Sequence, residues 1–200
     1  MKAVLDRLFG RRRPPGAADF YAAVVAQARE PAFYRDLAVP DTLDGRFDLL
    51  VLHVILVMHR LKGQGAEAEE WSRALYETMI TDFDRSLREM GVGDTGIAKR
   101  VKAMVRGAHG RLLAYDAALA APDDSALEVA LDNNVYGTVR DVPPDAPRAM
   151  AAYVRRLVAD LAAQPLADLL AGRIRFVPPA VEADHKGDHK GDHKGPDHRG

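Results

Sequence analysis

The sequence predicts an all-α protein: an irregular, single-domain helical bundle followed by a disordered C-terminal tail. Apolar residues recur at helical spacing along most of the chain, and alternating strand patterns are almost absent, with only residues 174–177 suited to an extended segment. From Glu182 onward the chain repeats DHKG without one large apolar residue, so it cannot bury enough surface to order itself. We therefore divide the chain into a basic segment (1–17), a helical domain (18–178) and a tail (179–200).

The first 15 residues are basic, and their apolar run is too short for a secretory signal. Four apolar residues could form one stripe of a short helix: Val4, Leu5, Leu8 and Phe9. The segment is therefore either a basic tail or an amphipathic foot on an anionic membrane.

The next two helices are predicted from their end signals. Asp19 is a candidate N-cap for a helix that Pro31 ends, and Asp44 is a candidate N-cap for a helix that runs to about Lys62. The second of these contains the longest apolar run, Phe47 to Met58, which is too short to cross a bilayer because a span needs about 20 residues. We expect it to be the central buried helix.

Two amphipathic helices are predicted on either side of Gly91, and Asp94 is a candidate N-cap for the second. The apolar stripe of the first is Trp71, Leu75, Met79, Phe83, Leu87 and Met90. The stripe of the second is Ile97, Val101, Met104, Val105, Ala108, Leu112, Tyr115 and Leu119. Both patterns indicate helices with one face packed on a core.

Three helices are predicted in the last third of the domain. Ser125 and Glu128 form a capping-box pattern before Leu131, and a proline-rich connection leads to a long helix from about Arg148 to Ala163. A short helix follows Pro165 and ends at Gly172.

Composition excludes several kinds of chemistry. The chain has no cysteine, which excludes a disulfide framework, a thiolate nucleophile, an iron–sulfur cluster and a cysteine zinc site. Its net charge is −1, so an electrostatic partner would have to recognise a local patch.

No pattern predicts a catalytic centre, a cofactor or a preorganised metal site. Residues 91–96 match GxGxxG, but a predicted helix precedes them where a dinucleotide site needs a strand. His53 and His59 lack a nucleophile motif and are better explained as structural histidines. The tail histidines, His185, His189, His193 and His198, could bind a transition metal weakly or have no specific role.

Charged residues before the Gly91 turn form a dense cluster: Asp82, Asp84, Arg85, Arg88, Glu89 and, beyond the turn, Asp94. Asp82 stands three residues before Arg85, and Asp84 four before Arg88, which predicts surface ion pairs on a helix. The same charges could contact a partner protein.

A basic stretch follows that turn, with no acid from Thr95 to Tyr115. Its cations are Lys99, Arg100, Lys102, Arg106 and Arg111, with His109 among them. It is either a solvated helix face or a docking patch for acidic protein, phospholipid or RNA phosphates.

Four segments of the chain carry a family resemblance: FYRDLAVPDTLDGRFDLLVLHVILVMHRLK (33–62), LYETMITDFDRSLREMGVGDTGIAKRVKAM (75–104), GRLLAYDAAL (110–119) and NNVYG (133–137). In order and spacing they resemble the ubiquinol–cytochrome c chaperone family, whose members assist assembly of the cytochrome bc1 complex. The chain departs from the family pattern at Ala108–His109, where an aromatic pair is frequent, and at Asn133, where arginine is expected.

The resemblance implies an all-helical, non-enzymatic assembly chaperone without a cofactor. It implies cytochrome b or another bc1 subunit as the client, and a bacterial cytoplasmic location, with peripheral contact to an anionic inner membrane as a further expectation. Contact with a ribosome is an additional partner hypothesis. The alternative function is an RNA- or ribosome-binding module that uses the basic helix face from Lys99 to Arg111.

The residues that we expect to contact a partner lie on the two helices around Gly91. They are Asp82, Asp84, Arg85, Arg88, Glu89, Asp94, Lys99, Lys102, Arg106 and Arg111.

Overall fold

The computed structural model describes residues 13–91 and 93–179. The apolar residues of the N-terminal segment, which is either a basic tail or an amphipathic foot, lie outside these residues, as do the histidine-rich tail and Val92 of the GxGxxG pattern. The proposed domain boundaries stay predictions.

Helices make up nearly all of the regular structure. They are α1 (Ala17–Ala28), α2 (Pro31–Arg35), α3 (Leu43–Leu61), α4 (Ala66–Glu89), α5 (Asp94–Ala120), α6 (Ser125–Leu131), α7 (Ala146–Ala163) and α8 (Leu166–Leu169), with a π-helical turn at Asp132–Tyr136 after α6. The described residues contain no strand, and residues 174–177 are irregular. The predicted all-α class is confirmed.

Helix α3 occupies the centre of the bundle. It packs against α1, α4, α5, α7 and the π-helical turn, and every residue from Val51 to Val57 is buried. This burial on all sides explains the continuous apolar run in the sequence. No described helix combines the length and apolarity needed to cross a bilayer.

The start of α3 differs from the prediction in one detail. Thr42, rather than Asp44, is the N-cap, and its hydroxyl accepts a hydrogen bond from the Gly45 amide at 3.1 Å. A Cβ atom at Gly45 would lie 2.1 Å from the Pro40 carbonyl oxygen, so only glycine allows the preceding loop to pack on this turn. Asp44 instead lies in the first turn, where its charge favours the helix dipole.

The apolar stripes of α4 and α5 are buried to different extents. On α4, Trp71, Leu75 and Met79 are buried as predicted, whereas Phe83 is half-buried and Met90, just after the helix, is 49% exposed. On α5, Ile97, Ala108 and Tyr115 are buried, but Val101, Met104 and Leu112 are half-buried, and Val105 is 36% exposed. Helix α5 therefore covers the core incompletely.

A buried hydrogen-bond network joins α1, α3 and α7. The Tyr153 hydroxyl lies 2.8 Å from His53 Nε2 and accepts a bond from the Gln27 amide at 3.1 Å, while His53 Nδ1 lies 2.8 Å from the Leu49 carbonyl oxygen. Burial lowers the pKa of His53 to about 4, so the imidazole is neutral at pH 7. Nδ1 then donates to Leu49, and Nε2 accepts from Tyr153. The prediction of a structural core histidine at position 53 is confirmed.

The network gives a direct test of the core. We expect Tyr153→Phe to lower the free energy of unfolding by about 1–3 kcal/mol, because it leaves His53 Nε2 and one Gln27 proton without their partner. Urea unfolding followed by circular dichroism measures the change. Tyr76→Phe is the matched control, since no described residue hydrogen-bonds the Tyr76 hydroxyl; an equal effect of both substitutions would contradict the assignment.

Candidate partner-binding surface

The charged residues around Gly91 organise the α4–α5 turn. Arg88 Nε donates a hydrogen bond to Asp84 Oδ2 within α4 at 2.8 Å. Arg88 Nη1 donates another, also at 2.8 Å, to Asp94 Oδ1 at the start of α5. The predicted Asp84–Arg88 ion pair is confirmed, and Asp94 joins it from the next helix. Gly91 adopts a positive φ of 76°, which suits glycine and lets the chain reverse here.

Asp82 connects α4 to α1. Its carboxylate accepts a hydrogen bond from the Tyr21 hydroxyl at 3.0 Å and pairs with Arg85, as its spacing from Arg85 predicted. Burial raises the pKa of Tyr21, and the neighbouring Asp82 carboxylate raises it further. Glu89 is the least constrained acid of the cluster. Its side chain is exposed, and its Oε1 lies 3.9 Å from Arg85 Nε. Much of this predicted partner cluster therefore serves the fold.

Arg111 is separated from the other cations of α5. It turns inward and pairs with Asp48 of α3, with 2.6 Å between Nη2 and Oδ1, and the two side chains are only 20% and 6% exposed. Arg111 Nε and the nearby buried Tyr115 hydroxyl have no hydrogen-bond partner among the described residues. Burial raises the pKa of Asp48 to about 6, although the Arg111 guanidinium opposes that shift.

The remaining cations of α5 point into solvent. Lys99, Arg100, Lys102 and Arg106 are exposed and form no ion pair with any described residue. Lys99, Lys102 and Arg106 share one helix face because they are three and four residues apart, whereas Arg100 lies toward α3 and α4. Of the four basic contact residues predicted on α5, the structure thus places Lys99, Lys102 and Arg106 on one face and turns Arg111 away from it.

A surface depression, which we call the long groove, runs beside these charges. One end lies between α3, α4 and α5, has a volume of about 560 Å³, and is lined by residues including Leu43, Phe47, Phe83 and Met104. It adjoins a space of about 210 Å³ that shares Leu43, Phe47 and Phe83, and this in turn adjoins a space of about 520 Å³ between α1 and α4.

The long groove combines an apolar floor with charged edges. The rings of Phe47 and Phe83 lie 4.7 Å apart on the floor, and Leu43 beside them is 50% exposed. The basic side chains at its edges are Arg13, Arg29, Arg46, Arg85 and Arg100. Acidic side chains also lie at or near these edges, namely Asp41, Asp44 and Asp82. The sequence alone did not predict this groove. Leu43 and Phe47 belong to α3, and how far their side chains are exposed depends on where α5 stops covering that helix.

The other histidine singled out from the sequence has a structural contact. His59 Nδ1 lies 2.9 Å from Asp116 Oδ1, and Lys62 pairs with the second oxygen of the same carboxylate at 2.6 Å, which ties the end of α3 to α5. Within residues 13–91 and 93–179, no cluster of histidine and carboxylate side chains could hold a metal ion.

Fold and surface together define a helical domain with an open, partly apolar groove, an arrangement suited to binding another polypeptide. Residues 35–176 match the family model described as ubiquinol–cytochrome C chaperone. The chain belongs to this family, and the resemblance noted in its sequence is confirmed.

Curated relatives and a solved structure agree with this assignment. The chain is 26% identical over 159 residues to the mouse ubiquinol–cytochrome c reductase complex assembly factor 1, covering 79% of this chain and 53% of that protein. It is 26% identical over 158 residues to the mitochondrial protein CBP3 of Saccharomyces cerevisiae, covering 76% of this chain and 46% of that one. The chain thus spans about half the length of these two relatives.

A crystal structure of the Cbp3 homologue from Brucella abortus superposes with a TM-score of 0.74 at 35% identity, covering 90% of this chain and 98% of that one. The helical architecture is therefore shared along nearly the whole of that protein.

The buried Asp48–Arg111 pair predicts a pH dependence. Because the folded-state pKa of Asp48, about 6, exceeds the ordinary carboxyl value near 4, the folded protein binds this proton more tightly. The protonated Asp48 carboxyl therefore makes its full contribution to stability below about pH 4, and this contribution is lost as pH rises through 6. As pH rises from 4 to 7, we expect the free energy of unfolding of the natural chain to fall by on the order of 1–3 kcal/mol relative to that of Asp48→Asn.

Urea unfolding of both proteins at intervals between pH 4 and pH 7 measures this difference. Asp41→Asn is the control, because a hydrogen bond from Arg46 lowers the pKa of the exposed Asp41 carboxyl. The contribution of that carboxyl is complete above about pH 4, so the difference between the natural chain and Asp41→Asn should stay nearly flat over the same range. A difference between the natural chain and Asp48→Asn that stays flat across this range would refute the assignment.

Proposed function

We propose that this protein is a non-enzymatic chaperone for assembly of the ubiquinol–cytochrome c reductase (bc1) complex, and that newly made cytochrome b is its client. The family match over residues 35–176 carries the proposal, and relatives named as assembly factors of that complex support it. Another bc1 subunit is the alternative client. The chemistry that we infer is reversible binding, with no cofactor taking part.

The long groove is the surface that we assign to the client. A membrane protein that has not yet been inserted exposes apolar helices flanked by basic and acidic ends. The Phe47–Phe83 floor offers apolar contact, and side chains such as Arg46 and Arg100 at the edges can bind carboxylates. Because the groove is open to solvent, it suits a segment that must later be released.

We place the protein in the bacterial cytoplasm, in peripheral contact with the anionic inner face of the inner membrane. A client that enters the bilayer requires a holder nearby. Unpaired cations such as Lys99, Lys102 and Arg106 support this location, since each basic residue near an anionic surface contributes about 1 kcal/mol.

The alternative function is an RNA- or ribosome-binding module that uses the same basic face. The absence of acids between residues 95 and 115 favours it, because phosphate backbones attract one-signed surfaces. The two functions are compatible if the chaperone meets its client during translation.

A gene deletion with groove variants tests the chaperone proposal. We expect the deletion to reduce assembled bc1 complex and cytochrome b haem absorbance, and the natural gene to restore both. Leu43→Asp should restore them poorly, because losing the contact of one leucine weakens client binding by about tenfold or more. The new carboxylate stands in the first turn of α3, where it favours the helix.

Val129→Asp is the matched control, because Val129 is a 61% exposed apolar residue on α6 that does not line the long groove. It should restore assembly fully. Normal bc1 complex in the deletion strain would exclude the chaperone function, and full rescue by Leu43→Asp would exclude the groove as the client site.

Ribosome binding has a separate test. Replacing Lys99, Lys102 and Arg106 with glutamate should abolish co-sedimentation with ribosomes, because it reverses three unpaired charges on one face. Unchanged co-sedimentation of the triple variant would count against the alternative.

A further inference from the structure

A second depression, which we call the short groove, lies on the other side of α5 from the long groove. It has a volume of about 310 Å³ between α3, α4 and α5, at the lower end of the range for small-molecule pockets. Aliphatic side chains dominate its lining, among them Ile55, Met58, Val105 and Leu112. Of the lining residues, only Tyr76 and His109 carry polar groups.

The exposed face of α5 beside this groove is cationic. Lys99, Lys102 and Arg106 follow one another at successive turns, and none pairs with a described residue. Several other exposed arginines have an acidic partner, as Arg88 does with both Asp84 and Asp94. The three positive charges on this face are therefore available to bind an anionic partner.

Two exposed aliphatic side chains accompany these cations. Leu113 is 58% exposed and lies seven residues after Arg106, hence on the same helix face, while Val105 stands between that face and the short groove. Exposed aliphatic residues interleaved with basic ones are typical of helices that lie in the headgroup region of a bilayer.

We propose that the short groove receives an acyl chain of an anionic phospholipid at the membrane surface while Lys102 and Arg106 bind its headgroup phosphate. The groove supplies an apolar environment without paired polar groups, and the adjoining cations complement the negative headgroup. This assignment rests on the membrane location proposed above and names the surface that would provide it.

The composition of the site favours lipid over the other anionic partners. Binding to single-stranded RNA uses aromatic side chains on which bases stack, whereas the exposed neighbours of these cations are Val105 and Leu113. An acidic amphipathic helix could also pair with Lys102 and Arg106, but its apolar face needs several side-chain sites along a groove, more than a space of about 310 Å³ supplies. An acyl chain with one phosphate headgroup needs only the groove and the adjoining cations.

Co-sedimentation of the full chain with vesicles tests the cations. We expect binding to vesicles of phosphatidylglycerol and phosphatidylcholine, weak binding to phosphatidylcholine alone, and partition about 30-fold weaker for Lys102→Glu/Arg106→Glu, which corresponds to roughly 1 kcal/mol for each cation. Arg35→Glu/Arg173→Glu changes the net charge equally at exposed sites on α2 and after α8, and should bind within about threefold of the natural chain.

A single fluorescent probe tests the groove. Because the chain has no cysteine, Val105→Cys gives one labelling site at the groove edge, and Val129→Cys gives a control on α6. An environment-sensitive dye should shift to the blue on phosphatidylglycerol vesicles at position 105 and not at position 129. A photo-crosslinker at position 105 should capture lipid from cell membranes.

The outcomes separate this inference from the chaperone function, which bc1 assembly measures independently. If the natural chain and Lys102→Glu/Arg106→Glu bind vesicles equally, or the probe at position 105 does not shift, the site is wrong while membrane contact stands. If the natural chain binds no vesicle, the membrane location and the site are both wrong. Capture of a protein or ribosomal RNA in place of lipid assigns this surface to that partner and overturns the proposal.

Discussion

The buried network around His53 is the constraint on which the rest of the structure depends. It places polar groups of α1, α3 and α7 inside an otherwise apolar core, where each must find its partner or cost free energy. Gln27 also donates to the carbonyl oxygen of Val177 at 2.9 Å, so the segment after α8 is fixed by the same group. Helices that could slide along an apolar interface are thereby held in one register.

Helix α5 is attached to this core less completely than its neighbours. Its main polar links to α3 are the Asp48–Arg111 and His59–Asp116 contacts, both in its second half. Its first half meets the bundle near the end of α4, where Arg88 joins the two helices through Asp84 and Asp94. The incomplete cover leaves a groove on each side of α5, the long groove toward Phe83 and the short groove toward Met79.

The two grooves correspond to the two parts of the function proposed above. In that proposal the long groove holds a client segment, and the short groove, beside cations that pair with no described residue, keeps the protein at the membrane.

The sequence by itself determined the class of fold, the central position of α3, the stripe of α4 and the family, because helical periodicity and long phrases are local signals. It also predicted the Asp84–Arg88 and Asp82–Arg85 pairs, whose spacing lies within one helix. Only the tertiary structure decided that Arg111 turns inward and that Leu43 and Val105 remain exposed. Those outcomes depend on which helix faces which, and residues 63 positions apart, such as Asp48 and Arg111, leave no local pattern.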